Sequence, residues 1–188
     1  MRIRAPNLFK PGSSEAATLA NVYEYYHGRK HRFEALAAIV AGSVVRRSGA
    51  RYREGWITSA TSDHGVDFVG RVDLGTGLAR TKLVLLGQAK CELPRNPTNG
   101  THIARTVARL RRGWVGAYVM TSFFSESVQR EIIEDRFPLL TINGLEVAKQ
   151  VQLLAHDNGC TEQAYLNQVD AAYDSMLSNR NAEEVLRD

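Results

Sequence analysis

The chain has 188 residues, of which 44% are apolar, and a formal charge of +4. This length supports one well-buried domain and excludes two domains of ordinary size. Cys91 and Cys160 lie far apart and outside any metal-binding spacing, which excludes a disulfide framework and a zinc site. No stretch approaches the roughly 20 apolar residues of a membrane span, and no signal-peptide pattern opens the chain, so we expect a cytoplasmic protein without a membrane partner.

The charge is distributed unevenly along the chain. Residues 162–188 contain six acidic residues against Arg180 and Arg187, which leaves a net charge of +8 on the rest. A basic body suits a polyanionic partner, because each neutralised phosphate releases condensed counterions. A solvated basic surface would give the same count, so charge alone permits nucleic-acid binding without requiring it.

Helical patterns come first. Ser13 and Ser14 are potential caps of a helix that runs to about Tyr26. A second helix is predicted from about residue 31 to 41, and Gly42 is expected to end it. The small residues on one face of this second helix would allow it to approach a sheet closely.

Strand patterns follow, and then strands alternate with helices. The Gly-Thr-Gly sequence at 75–77 predicts a hairpin between the second and third strands. The alternation predicts an α/β fold, with a mixed sheet flanked by helices on both faces. The predicted strands are 52–58, 66–74, 82–89, 115–120 and 139–142, and the predicted helices are 101–112, 125–136 and 145–154, with one or two acidic helices in 161–188.

Asp67, Gln88 and Lys90 are the central group of candidate catalytic residues. In an antiparallel hairpin, Asp67 near the start of one strand lies opposite Gln88 near the end of the next. Gln88 and Lys90 share a face because strand side chains alternate, while Ala89 packs away. The alternative is that Asp67 only caps a turn and Lys90 only extends to solvent, and the spacing of the three residues argues against it.

These residue types suit metal-assisted phosphodiester hydrolysis. A hard divalent cation polarises the phosphoryl oxygen and activates water, and it prefers oxygen ligands. Asp67 could supply a carboxylate, Gln88 an amide oxygen and Ala89 its backbone carbonyl. Lys90 could hold or deprotonate the attacking water and offset charge on the phosphate. Asp63 is a rival metal ligand, but its position before a glycine turn already explains it by local hydrogen bonding.

The motifs resemble the Mrr-type branch of the PD-(D/E)xK nucleases, in which Gln replaces the usual acid. The resemblance rests on "GVDFVG" followed by "GQAK", on "VMTSFFS" and "FPLLTING", and on Phe33-Glu34, and it covers roughly residues 30–150. It implies a restriction-endonuclease-like fold and Mg²⁺-dependent cleavage of double-stranded DNA. It also implies Asp67, Gln88 and Lys90 as the catalytic set, with Glu34 as an accessory metal ligand.

The resemblance is closer to the catalytic half of the MspJI-like modification-dependent restriction enzymes, judged from "GQAKC" and the arginine-rich segment before "RGWVG". His64 and Met120 depart from the common motifs without removing a catalytic group. The expected organisation is an N-terminal arm and helix (1–29), a nuclease core (30–156) and acidic C-terminal helices (157–188). No recognition domain fits before residue 30, so the chain is expected to be a catalytic fragment or a lone effector. We also expect a homo-oligomer or a partner domain that supplies sequence or modification recognition.

Arg105, Arg109 and Arg112 form a predicted DNA-binding face. Their i, i+4, i+7 spacing places them on one side of a helix, and no acidic residue occurs between Gly100 and Trp114. Because like charges at this spacing repel, a DNA backbone opposite them explains the arrangement. A solvated face that pairs with acids elsewhere is the alternative.

We therefore expect a Mg²⁺-dependent DNA endonuclease of the restriction type. A DNA-repair or junction-resolving nuclease would share this chemistry and differ in substrate. A non-cleaving DNA-binding or assembly module would share only the fold, and it would have no use for a carboxylate beside phosphate without a cation.

Overall fold

The computed structural model describes residues 12–59, 65–98 and 100–187. Helix α1 begins where the Ser13 side chain accepts the backbone N–H of Ala16, as the serine pattern predicts. Ser125, Asn143 and Thr161 cap three later helices in the same way. The helices are α1 (Ser14–Tyr26), α2 (Phe33–Arg47), α3 (Gly100–Val107), α4 (Glu126–Glu134), α5 (Gly144–Asp157) and α6 (Glu162–Met176), with 3₁₀ segments at His27–Arg32, Gly77–Ala79 and Ala182–Leu186.

Six strands form one mixed sheet in the order β7-β5-β3-β2-β1-β8. The β1/β2 and β2/β3 pairs are antiparallel, whereas β3/β5, β5/β7 and β1/β8 are parallel. A separate two-stranded sheet joins β4 and β6. The strands are β1 (Arg51–Thr58), β2 (Phe68–Leu74), β3 (Thr81–Lys90), β4 (Pro97–Thr98), β5 (Trp114–Met120), β6 (Phe123–Phe124), β7 (Leu139–Ile142) and β8 (Leu177–Ser178).

Helices cover both faces of the sheet, as predicted. On one face, α1, α2, α5 and α6 enclose the main core, to which the sheet contributes residues such as Phe68, Leu85 and Ala89. The opposite face, here called the site face, carries Val69 and Leu86 beneath the C-terminal 3₁₀ helix, and it continues to a cluster packed under α3 and α4. Helices from the predicted N-terminal, central and C-terminal segments thus share one core, and the division at residues 29 and 156 stays a prediction.

The second helix does not end at Gly42. Helix α2 continues to Arg47, and Gly42 lies inside it against the ring of Tyr52, where an added Cβ would come within 2.6 Å of the ring. This glycine therefore permits close packing between a helix and a strand.

The arginine-rich helix is shorter than predicted. Helix α3 ends at Val107, so Arg109 lies in the following turn and Arg112 lies just before β5. Gly113 has a φ of 81°, and the chain reverses there so that β5 can begin at Trp114. The prediction that Arg112 shares a helical face with Arg105 is wrong for this reason.

The C-terminal region is also more varied than the predicted acidic helices. After α6, the chain adds β8 to the edge of the sheet and then forms the 3₁₀ helix over the site face. Among the described residues, none of the helices is long and apolar enough to span a membrane.

Candidate active site

Asp67 is fixed between two strands at one end of the sheet. Its backbone N–H donates to the carbonyl of Gly87 on β3 at 2.8 Å, and its carbonyl accepts the N–H of Thr58 on β1 at 3.1 Å. The Thr58 hydroxyl also donates to the carbonyl of Val66. These bonds extend the ladder by one residue beyond β2, so the Asp67 backbone has little freedom to move.

The hairpin places Asp67 opposite Gln88, as the sequence predicts. Phe68 pairs with Gly87, which makes Asp67 and Gln88 the next pair in the register. The Oδ2 atom of Asp67 accepts the backbone N–H of Ala89 at 2.6 Å and also accepts the side-chain amide of Gln88. Two donors therefore orient this carboxylate at the end of β3.

The register depends on the Phe68–Gly87 pair beside the site. An added Cβ at Gly87 would lie 2.0 Å from the Phe68 ring, so the ring occupies the space that a side chain at position 87 would need. Phe68 is completely buried in the main core. A shift of one residue in the register would move the ring out of this core and separate Asp67 from Gln88.

Lys90 lies at the end of β3, half-buried and on the site face with Gln88. Within the described part of the chain, its amine forms no hydrogen bond or ion pair. A half-buried ammonium beside the Asp67–Gln88 pair can meet a negatively charged phosphate without first breaking an ion pair.

Thr121 and Ser122 hold the end of β3 in place. The backbone N–H of Thr121 donates to the carbonyl of Lys90 at 3.1 Å. The hydroxyl of Thr121 accepts the N–H of Glu92 at 2.8 Å and donates to the Glu92 carbonyl, while Ser122 donates to the Glu92 carboxylate at 3.3 Å. The "MTSFFS" motif thus has a structural role at the strand that carries Lys90.

The pKa of Tyr118 is affected by burial and by the charges near the candidate site. It pairs with Gln88 in the parallel β3/β5 ladder, and its hydroxyl lies 3.4 Å from that of Thr98. Burial raises the pKa of Tyr118 to about 12, and the negative charges of Glu92 and Asp67 also raise it. The tyrosine therefore stays neutral, and both carboxylates lie close enough for their charges to act on it.

Glu34 is half-buried on α2, at the boundary between that helix and α6. Its carboxylate is hydrogen-bonded to Tyr173 of α6, whose pKa is raised to about 12 by burial first and by the charge of Glu34 second. Arg32 stacks over the same tyrosine ring at 4.7 Å. The predicted contact of Glu34 with a metal stays a proposal.

Arg109 reaches the loop that carries Asp67. Its guanidinium donates to the carbonyl of Arg105 at 3.1 Å and lies against Gly65, where an added Cβ would be 2.5 Å from Nη2. Gly65 has a φ of 75°, so both conformation and space favour glycine there. Arg105 and Arg112 are exposed, and their contact with DNA stays a prediction.

The donor atoms at this edge fit a hard divalent cation. Asp67, Gln88 and Ala89 offer only carboxylate, amide and carbonyl oxygens, the ligands that Mg²⁺ prefers. Coordination by Gln88 requires its amide to rotate, because its nitrogen now donates to Asp67. In the described ranges, no group of three or more His, Cys, Asp or Glu residues could hold a metal, so a histidine- or thiolate-rich site has no support there. Asp63 and His64 lie outside the described residues.

Comparison with solved structures supports the fold described above. The MspJI restriction endonuclease, in complex with a 27-mer oligonucleotide, matches 100% of the chain with a TM-score of 0.93 and 43% sequence identity. In sequence and in fold, the chain is MspJI-like. The DNA modification-dependent restriction endonuclease AspBHI shares the fold, with a TM-score of 0.68 and 21% identity over 91% of the chain.

The MspJI-like chain spans 42% of the MspJI protein and 43% of AspBHI. No model of a protein family matches it, and no curated protein sequence matches it. The restriction-endonuclease fold expected from the motifs is confirmed by the MspJI match. Sequence reasoning did not find the part that the C-terminal segment plays on the site face, because its acidic composition indicated only a surface helix.

Proposed function

We propose that the chain is the cleavage region of a modification-dependent restriction endonuclease and hydrolyses DNA phosphodiester bonds with Mg²⁺. The observation that carries the proposal is the convergence of Asp67, Gln88 and Lys90 at the end of the β2/β3 hairpin. The likeness to MspJI, whose structure contains an oligonucleotide, supports DNA as the substrate. We also propose that the site belongs to the Mrr-like PD-(D/E)xK type.

Each residue has a distinct role in this proposal. Asp67, Gln88 and the carbonyl of Ala89 hold the cation, with Glu34 as an accessory ligand. When bound, the cation supplies Lewis acidity towards the phosphoryl oxygen and lowers the pKa of water. Lys90 orients the nucleophilic water and neutralises the charge that develops on the phosphate. The bonds from Thr121 to Lys90 and Glu92 hold the lysine at the required position.

Recognition of a sequence or of a modified base is proposed to lie outside these residues, because the chain matches only part of MspJI. One active site cuts one strand of a duplex, so a second active site is needed to cut the other strand. We therefore propose a homo-oligomer, which would bring two cleavage regions to one DNA duplex, or a partner domain that supplies sequence or modification recognition.

Plasmid nicking tests the proposed chemistry. We expect wild type to nick supercoiled DNA only with a divalent cation, and Asp67→Ala and Lys90→Ala to lower the rate at least about 100-fold, as for loss of a transition-state contact. Methylated and unmethylated plasmids are compared in parallel. Circular dichroism confirms folding, and Asp157→Asn, which changes an exposed carboxylate, is the matched control.

Three results would overturn the proposal. Full activity in EDTA would exclude the metal mechanism, and wild-type activity in Asp67→Ala would exclude this site. DNA binding without nicking under any metal condition would instead identify a non-cleaving module of the same fold.

A further inference from the structure

The site face contains a cavity of about 650 Å³ next to the candidate active site. Its floor includes Val69 and Leu86, each two residues along a strand from Asp67 or Gln88 and therefore on the same face. The lining also includes the turn after α3 and residues from the segment 181–187, here called the C-terminal wall.

The charged residues of the cavity fall into two classes. Arg111 pairs with Glu183 at 2.7 Å, and Arg180 pairs with Glu184 at 3.4 Å, so two guanidinium groups are neutralised. The four arginines and two glutamates that line the cavity are Arg109, Arg111, Arg180, Arg187, Glu183 and Glu184.

Neither of the other two arginines forms an ion pair with a carboxylate in the described part of the chain. Arg109 donates to a backbone carbonyl, and the exposed Arg187 side chain makes no hydrogen bond or ion pair, although its charge interacts with that of Glu184. They come from two separate segments of the cavity lining, the turn after α3 and the C-terminal wall. An anion in the cavity could accept charge-assisted hydrogen bonds from them without breaking an ion pair.

The apolar part of the cavity lining indicates which kind of anion could bind there. Trp114 is half-buried in the cavity lining, and Arg111 stacks over its ring at 5.2 Å. A flat aromatic surface beside guanidinium groups suits the bases and sugars of a nucleic acid strand, with its phosphates at the arginines.

The C-terminal wall is held firmly against the sheet. The buried Arg71 donates to the carbonyl of Val185 at 3.1 Å, and Lys82 donates to the carbonyl of Leu186 at 2.8 Å. Val185 itself is completely buried. Arg187 therefore follows an anchored backbone segment, so only its side chain has to become ordered when a ligand binds.

We propose that this cavity binds the DNA strand next to the cleaved phosphodiester, with Arg109 and Arg187 contacting its phosphates. This inference rests on the proposed nuclease function and adds the C-terminal wall to the DNA-binding surface. Asp67 and Gln88 lie on the same face of the sheet as Val69 and Leu86. A DNA strand bound at the candidate active site could therefore continue along this face into the cavity.

Binding of a labelled duplex in EDTA, followed by fluorescence anisotropy at several salt concentrations, tests the proposal. Arg187→Ala is expected to weaken binding about tenfold and to lower the salt slope by roughly one. The control is Arg53→Ala, which removes an exposed arginine of β1 outside the cavity and is expected to change neither quantity. Equal affinities and slopes for the two variants would overturn the assignment.

Tryptophan fluorescence provides a second readout from within the cavity. The protein has two tryptophans, and Trp56 is buried whereas Trp114 lines the cavity. We expect DNA to change the emission of wild type and to have a much smaller effect on Trp114→Phe. An undiminished change in Trp114→Phe would contradict binding in the cavity. If DNA does not bind in the cavity, wild type still shows metal-dependent cleavage. If the nuclease proposal is wrong, wild type shows no such cleavage.

Discussion

Glu34 is the residue whose role at the metal depends most on its contacts. It is half-buried and bonded to Tyr173, so substitution by Gln keeps a hydrogen-bonding group and removes the charge. We expect Glu34→Gln to remain folded and to raise the Mg²⁺ concentration for half-maximal cleavage several-fold. Mn²⁺, which binds such ligands more tightly, should restore part of the activity. The measurement is a metal titration of the cleavage rate.

Glu134→Gln on α4 is the matched control, because this glutamate is exposed at the end of its helix. Its titration curve should coincide with that of wild type, and its stability should change by less than about 0.5 kcal/mol. If the Glu34→Gln curve coincides as well, Glu34 has no part in metal binding.

At the scale of elements, the Phe68–Gly87 pair of the β2/β3 hairpin affects both the stability of the fold and the position of the candidate catalytic residues. Gly87→Ala places a Cβ within 2.0 Å of the ring and should cost about 1–3 kcal/mol, as overpacking does. Because Asp67 and Gln88 form the next pair, cleavage should fall even at temperatures where the variant is fully folded. Thermal unfolding and cleavage rate are measured together.

A second substitution in the same hairpin distinguishes this cause from general damage. Phe68→Leu in the Gly87→Ala background removes the ring edge and should recover part of both stability and rate. Additive losses in the double variant would show that the two positions act independently.

Sequence patterns were informative where contacts are local. The hairpin turn and the alternation on β3 place Asp67, Gln88 and Lys90 together without knowledge of the rest of the chain. Gly42 was misread because a helix end and a close contact with Tyr52 both require glycine, and only the folded chain distinguishes them. Arg112 was misplaced because the end of α3 is set by where β5 must begin. The role of Arg187 depends on packing between distant segments, which no local pattern records.

For the whole molecule, a buried ionic network ties the hairpin to the C-terminal wall. Asp73 accepts from Arg71 at 2.8 Å and also from Arg80, and Arg71 reaches Val185. Burial alone would raise the pKa of Asp73, but the hydrogen bonds from the two arginines lower it overall. Asp73→Asn removes the buried carboxylate that accepts from both Arg71 and Arg80, so we expect a loss of about 1.5–3 kcal/mol at neutral pH, the size of a hydrogen bond to a charged group.

The loss should depend on pH in a defined direction. Because the pKa of Asp73 is lower in the folded state, its stabilisation is present above the unfolded value of about 4 and disappears as pH falls through the folded value. Urea unfolding should therefore show the gap between wild type and Asp73→Asn narrowing below about pH 4. Asp157→Asn, at an exposed pair, should show no large gap at any pH. A gap that does not vary with pH would remove the ionised carboxylate as its cause.

The β1/β8 pairing has a consequence for the order in which the protein assembles. Ile57 and Leu177 are about 120 residues apart, whereas Asp67 and Gln88 are separated by 21. Closing the longer loop costs roughly 1.5 kcal/mol more chain entropy. During synthesis, the hairpin with the candidate catalytic residues emerges about 90 residues before the segment that supplies Arg187. A growing chain can thus bring Asp67, Gln88 and Lys90 together before it contains the C-terminal wall of the proposed DNA-binding cavity. Binding of a DNA strand in that cavity becomes possible only afterwards.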